Sequence, residues 1–323
     1  MSSSINNRLH LLKESLDNLQ EGYGTAYLQS DPLLYLHAYS DPQDQEVVGF
    51  LASAFAYGQV AQILENQRRI LTPLGDSVAD AIRKGHISRW RRVYKGYAYR
   101  FQRSDDLIML LWLLKRVIRR FGSIQASFLR FYLPAKDGPQ PVRAALVEWV
   151  GFLREQLRSY PGWHVTQDKR GIYHLLPDPS SGSPCKRWNL YLRWMVRGPD
   201  GLDLGIWKSV PTRHLLLPLD THTARICRYL RLTRRVAPSW AMAEEITQDL
   251  RNLDPNDPVR YDFSIARLGI LARCTRRVDR TRCISCELTR VCHAKDDRSS
   301  RNSSSRPERE LYPISGQRGS MVP

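Results

Sequence analysis

No apolar run in this 323-residue chain is long enough to cross a bilayer; the longest, Leu107 to Leu114, is far shorter than a spanning helix. The first residues, Met1-Ser2-Ser3-Ser4-Ile5-Asn6-Asn7, carry no apolar leader. A cytoplasmic protein with no membrane partner is therefore expected. In that compartment the six cysteines are thiols or metal ligands rather than disulfides. Acid is scarce: 32 Asp and Glu stand against 49 Lys and Arg, for a net charge of +17. Convincing period-2 alternation is missing, which excludes a sheet protein and leaves an all-α fold. Internal repeats are missing too. From Asp296 on apolar residues run short while Ser, Arg and Pro dominate, so 296–323 is expected to be a disordered tail.

Most of the positive charge is arginine, whose planar fork suits phosphate. Nucleic acid is thus the first partner to consider, DNA ahead of RNA. Residues 83–103 sharpen this, because Arg89, Arg91, Arg92 and their basic neighbours alternate with Trp90, Tyr94, Tyr97, Tyr99 and Phe101. Such a stretch is either a set of phosphate contacts among stacking rings or a solvated face with its rings turned inward.

Apolar spacing predicts helices over 8–29, 42–70 with a break or bend at Gly58, 107–121, 124–132, 140–159, 186–196, 238–253 and 256–273. Residues 198–214 read as an inserted loop with a short helical turn near Trp207 and Lys208.

Three features carry chemistry. In Leu217-Pro218-Leu219-Asp220-Thr221-His222 an acid stands at the mouth of a helix, beside free backbone N–H groups. Lys186 follows a small-residue turn, Ser180-Ser181-Gly182-Ser183-Pro184-Cys185, and opens another helix. Cys274, Cys283, Cys286 and Cys292 then space as C-x8-C-x2-C-x5-C. Four thiolates suit a [4Fe-4S] cluster or zinc, and the single close pair favours the cluster. A lysine amine can attack a sugar carbon, and a carboxylate can stabilise the cation that develops there.

The order of these motifs resembles the helix-hairpin-helix DNA glycosylase superfamily, endonuclease III in particular. That family reads Gly-x-Gly-x-Lys, then Val-Asp-Thr-His, then four cysteines. Here Gly182 matches one glycine, Pro184 replaces the other, and the first cysteine interval is longer by two. The resemblance covers about the C-terminal half, with a weaker echo in Leu51–Val60, where Phe55 stands at the family's glutamine and Gln59 could substitute.

What the resemblance implies is a two-lobed all-α monomer, nucleoid-associated, that excises DNA bases and cuts abasic sites. Lys186 would be the nucleophile, with Lys208 as fallback, and Asp220 the activating carboxylate. Gln59, Arg89, Arg91, Arg92, Gly182, Arg225, Arg276 and Arg277 would meet DNA. One lobe would span 30–232, with its hairpin near 172–196. The other would join residues 1–29 to 233–295, with the cluster loop at 274–292. The alternative is a non-catalytic DNA- or RNA-binding protein that keeps a structural cluster.

Overall fold

A computed structural model describes residues 2–134, 140–166, 168–271, 274–275 and 278–294. Among them the fold is all-α, with one minimal hairpin. The helices are α1 (Ser2–Gly22), α2 (Pro42–Ala54), α3 (Val60–Leu71), α4 (Val78–Lys84), α5 (Ile87–Val93), α6 (Ser104–Phe121), α7 (Ile124–Leu129), α8 (Pro141–Leu157), α9 (Arg170–Leu175), α10 (Lys186–Val196), α11 (Thr221–Tyr229), α12 (Trp240–Arg251), α13 (Asp262–Ile270) and α14 (Arg280–Ile284). No helix among the described residues is long and apolar enough to cross a membrane.

Local chemistry sets the ends of these helices. Asp41 caps α2 by accepting from the Gln43 and Asp44 N–H groups, and Pro42 opens the helix at a position that needs no donor. Asp106 of α6 accepts from the Arg103 N–H at 2.9 Å, tying the hairpin to the helix. That hairpin pairs β1 (Ala98–Tyr99) with β2 (Gln102–Arg103), in a stretch without convincing apolar–polar alternation. Its two-residue tip puts Arg100 at φ 54, a left-handed position that usually takes glycine or asparagine.

The buried side chains form two hydrophobic cores. The larger is built by α2 to α10, around Phe50, Leu110, Trp149, Tyr191 and Trp207. The smaller joins α1 to segments after Leu216: Leu12, Leu16 and Leu19 pack with Leu217, Ile226, Ile246, Ile265 and Leu288, while Trp240, Val259 and Phe263 stay with the larger core. Packing therefore changes hands near Leu216, and residues 217–232 sit in the second core rather than the first. The predicted helix over 8–29 ends at Gly22, followed by a 3-10 segment at Thr25–Ser30. The predicted helix over 256–273 begins only at Asp262, because 254–261 form turns held by the Asp254 side chain.

The loop 198–214 is a clasp. Leu204, Gly205 and Trp207 return their N–H groups to the Trp194 and Met195 carbonyls at the end of α10. Trp207 is fully buried and donates its indole N–H to Glu46 at 2.9 Å. A turn forms at 208–209, beside the expected position, and a 3-10 segment follows at Thr212–His214. The expected tail, 296–323, lies outside the described residues.

Candidate active site

Lys186 is the first residue of α10, on the larger core, and Asp220 precedes α11, on the smaller. Lys186 Nζ lies 3.1 Å from Asp220 Oδ2, with the two side chains 32% and 16% exposed. Asp220 Oδ1 accepts from the His222 and Thr223 N–H groups, both at 2.9 Å. Its two oxygens thus divide the work: one caps the helix and the other faces the lysine. Burial alone would raise the acid, but Lys186 and the Thr223 N–H outweigh it and hold Asp220 at about 2. A carboxylate at this position stays ionised across the physiological range. Lys208 is exposed, and it is Lys186 rather than this fallback lysine that pairs with Asp220.

Before this pair the chain runs from α9 through a 3-10 turn at Pro179–Ser181 to α10. Gly182 takes the left-handed conformation, φ 77, that ends that turn. Its carbonyl accepts from the Trp240 N–H at 2.9 Å, which docks the loop on α12. Pro184 offers no N–H, and the Cys185 N–H is turned toward Ser183 Oγ at 3.4 Å.

Behind the pair runs a buried ionic seam. Arg193, one face of α10 further along, is 3% exposed. It reaches Asp203 at 3.1 Å and bonds Asp262 of α13 directly. Arg197 bridges Asp203 at 3.0 Å and Asp257 at 2.8 Å. Arg267 of α13 closes on Asp31 at 2.6 Å. Desolvation raises Asp262, and Arg193 opposes that only in part. Asp262 Oδ1 has no hydrogen-bond partner among the described residues. Lys186 and Arg193 on α10 and Arg197 just after it thus present a row of cations that is answered by carboxylates before α11, in α13, in the turn before it and in the clasp.

An aromatic rim flanks α10 at the next residue. Arg187 donates to the Ala54 carbonyl at 2.7 Å and to the His174 carbonyl, and lies 5.3 Å from the Tyr57 ring centre. His174 sits edge-on to Tyr57 at 4.8 Å and to Phe101 at 4.4 Å. Burial, then the charges of Arg187 and Arg100, lower His174 to about 4, so its ring is neutral at pH 7. Phe101 is 50% exposed at the hairpin tip. Gln59 is exposed beside this rim as the residue before α3, whereas Phe55 is wholly buried.

The remaining sequence-predicted residues scatter. Arg89, Arg91 and Arg92 are exposed on α5. Trp90, Tyr94, Tyr97 and Tyr99 between and after them are buried in the larger core, so of the five rings only Phe101 is open to a stacking partner. Arg225 turns toward the cysteine loop and donates to the Cys274 carbonyl at 2.7 Å. Arg276 and Arg277 lie outside the described residues. All four cysteines of the spaced set are half-buried, and Cys274 and Cys286 pack on the smaller core. Burial raises the Cys274 thiol, and the neighbouring Arg225 opposes it. No three His, Cys, Asp or Glu side chains among the described residues group as a single ion would need.

Sequence reasoning missed Arg193, Asp262, His174 and Tyr57. Only the polar spacing of Lys186, Arg193 and Arg197 along and just beyond one helix could have pointed to the seam.

Fold and site together define an all-α protein with a lysine–carboxylate pair and an ionic seam between two cores. The chain belongs to the family described as "Protein of unknown function (DUF2400)", whose model matches residues 31–271. That span contains Lys186, Asp220 and the seam and stops short of Cys274. No curated protein and no solved structure matches the chain.

Proposed function

We propose that this protein excises bases from DNA, with Lys186 as nucleophile and Asp220 as the carboxylate that steadies the sugar. The observation that carries the reading is the 3.1 Å pair itself, set in the seam between two cores. Asp220, held ionised, suits a positive charge growing at the sugar carbon C1′. Lys186 must first give up a proton; its nitrogen then bonds to C1′ as the bond from C1′ to the base breaks. The proton leaves with the base. Opening of the sugar ring gives a Schiff base, from which strand cleavage can follow. Phe101, Tyr57 and His174 offer rings where an unstacked base could rest. The reading extends to a two-lobed helix-hairpin-helix monomer of endonuclease III type, associated with the nucleoid.

Borohydride trapping tests the proposal. The wild-type chain should form a covalent complex with abasic duplex DNA. Failure to trap, with no base release from damaged duplex or single strands, leaves the non-catalytic DNA- or RNA-binding reading. One observation favours that second reading: the turn before Lys186 lacks a backbone donor at Pro184.

The C-x8-C-x2-C-x5-C spacing supports a thiolate-bound group. Cys274, Cys283, Cys286 and Cys292 would hold it, and it would supply structural bracing for the loop beside α11. Four thiols spread along one loop suit a [4Fe-4S] cluster, one thiolate per iron, ahead of zinc. Protein purified without air should be brown, with broad absorbance near about 400 nm. Cys283→Ser should remove most of the colour; a colourless chain holding one zinc overturns the assignment.

Affinity should fall steeply with salt, since neutralised phosphates release counterions. Changing Arg89, Arg91 and Arg92 together to Gln should flatten the slope of log affinity against log salt by up to about 3. An unchanged slope returns α5 to a solvated face.

A further inference from the structure

At the far end of α6 from the rim is an open cavity of about 640 Å³, between that helix, the start of α5 and α8. The helix has 18 residues, so this end lies about 27 Å from the hairpin. Lys115, Arg116, Arg119 and Arg120 line the cavity, and no carboxylate does. None of these four cations has an acid partner among the described residues. Cations in a last helical turn complement the helix dipole. That accounts for Arg119 and Arg120 and leaves Lys115, Arg116 and the shape around them to explain.

Two of the guanidiniums lie against rings. Arg116 lies 5.1 Å from the Trp112 ring, and its Nη2 reaches Gln156 Oε1 at 3.4 Å. Arg120 lies 5.3 Å from Phe121 and 5.5 Å from Phe152, which meet edge to face at 5.7 Å. The floor is fixed as well. Lys115 Nζ donates to the Gly85 carbonyl at 2.5 Å. A Cβ on Gly85 would fall 2.5 Å from the Trp90 ring, so only glycine lets the wall close to this distance. A guanidinium stacked on a ring keeps its planar fork of N–H donors for an oxyanion and its outer face for another flat group. The volume is in the range of small-molecule sites.

We infer that this cavity binds a nucleotide unit: a phosphate group on the arginine forks and a base against the guanidinium faces. The unit is either a free nucleotide or part of a single strand. The inference stands apart from the chemistry proposed for Lys186, and either can fail alone.

The test is equilibrium binding of ADP and of adenosine to the full chain and to an Arg116→Gln/Arg120→Gln variant. Both side chains are exposed, so the variant should keep the wild-type circular dichroism and melting temperature. ADP should bind the wild type about tenfold or more tightly than adenosine, and the variant should lose about tenfold for ADP. A 5′-phosphorylated single-stranded oligonucleotide added as competitor identifies the source. Displacement of ADP marks the site as a strand contact, and no displacement marks it as a site for free nucleotides. Equal ADP affinity in wild type and variant, or no ADP binding to the wild type, overturns the inference.

Discussion

Lys186→Gln should abolish borohydride trapping on abasic DNA while leaving affinity nearly unchanged, because one cation among many contributes little to binding. Lys208→Gln should trap normally, since only Lys186 reaches Asp220. Asp220→Asn should lose turnover by on the order of 10²-fold or more, because an amide cannot balance a sugar cation as a carboxylate does. That variant separates two roles of one residue. The Asn side-chain oxygen can still accept from the His222 and Thr223 N–H groups, so α11 keeps its cap and the chain should stay folded. The pH profile adds a check. An acid lowered to about 2 contributes stability above the ordinary carboxylate range and loses it only as pH falls toward 2. Asp220 therefore produces no change in rate between pH 7 and pH 4, and any loss there comes from another group. Normal trapping by Lys186→Gln would remove the nucleophile from the proposal.

Arg193→Met should be the most destabilising single change in the seam, by about 3–5 kcal/mol. The guanidinium is buried between Asp203 and Asp262. Without it Asp203 keeps Arg197 at 3.0 Å, but Asp262 is left buried and alone. Adding Asp262→Asn to Arg193→Met should restore a large part of the loss, since an amide needs no counter-charge. The pH dependence has a definite sign. Burial raises Asp262, so the folded state takes up its proton before the unfolded state does. Stability then falls as pH rises through the window between the two values. Arg193→Met removes the group opposing that rise, so the variant should lose less at pH 5 than at pH 7.5. Denaturant titration measures both arms. A loss under about 1 kcal/mol would mean that water or another cation serves the seam.

The mouth of α11 was legible because Asp and Thr beside an apolar run can hardly be anything but a cap. The start of α10 was legible for the same kind of reason: a Pro and small-residue turn, then helical spacing from Lys186. The pairing of the two was suggested by resemblance alone, since nothing local joins positions 186 and 220. Arg193 was hidden because a buried arginine and a surface one look alike in sequence, and its partners stand at 203 and 262. The rings of 83–103 were ambiguous, because a buried tyrosine and a stacking tyrosine share one letter. The hairpin was invisible: its strands are two residues long and its left-handed position holds Arg100 rather than glycine.

The smaller core has a consequence for how this chain is made. Its α1 comes from the first residues, yet it packs on segments that begin at Leu217. Gln20 waits for Arg260, and Asp17 for the Tyr261 hydroxyl, 3.1 Å and 2.7 Å away in the finished fold. The partners lie 240 and 244 residues further along the chain, a length that at ordinary synthesis rates takes roughly 12–50 s to make. For that time the leucine face of α1 is emergent and unclaimed, while the larger core can already close. α1 is thus made well before the segments it docks on, and the smaller core closes only after the larger one can.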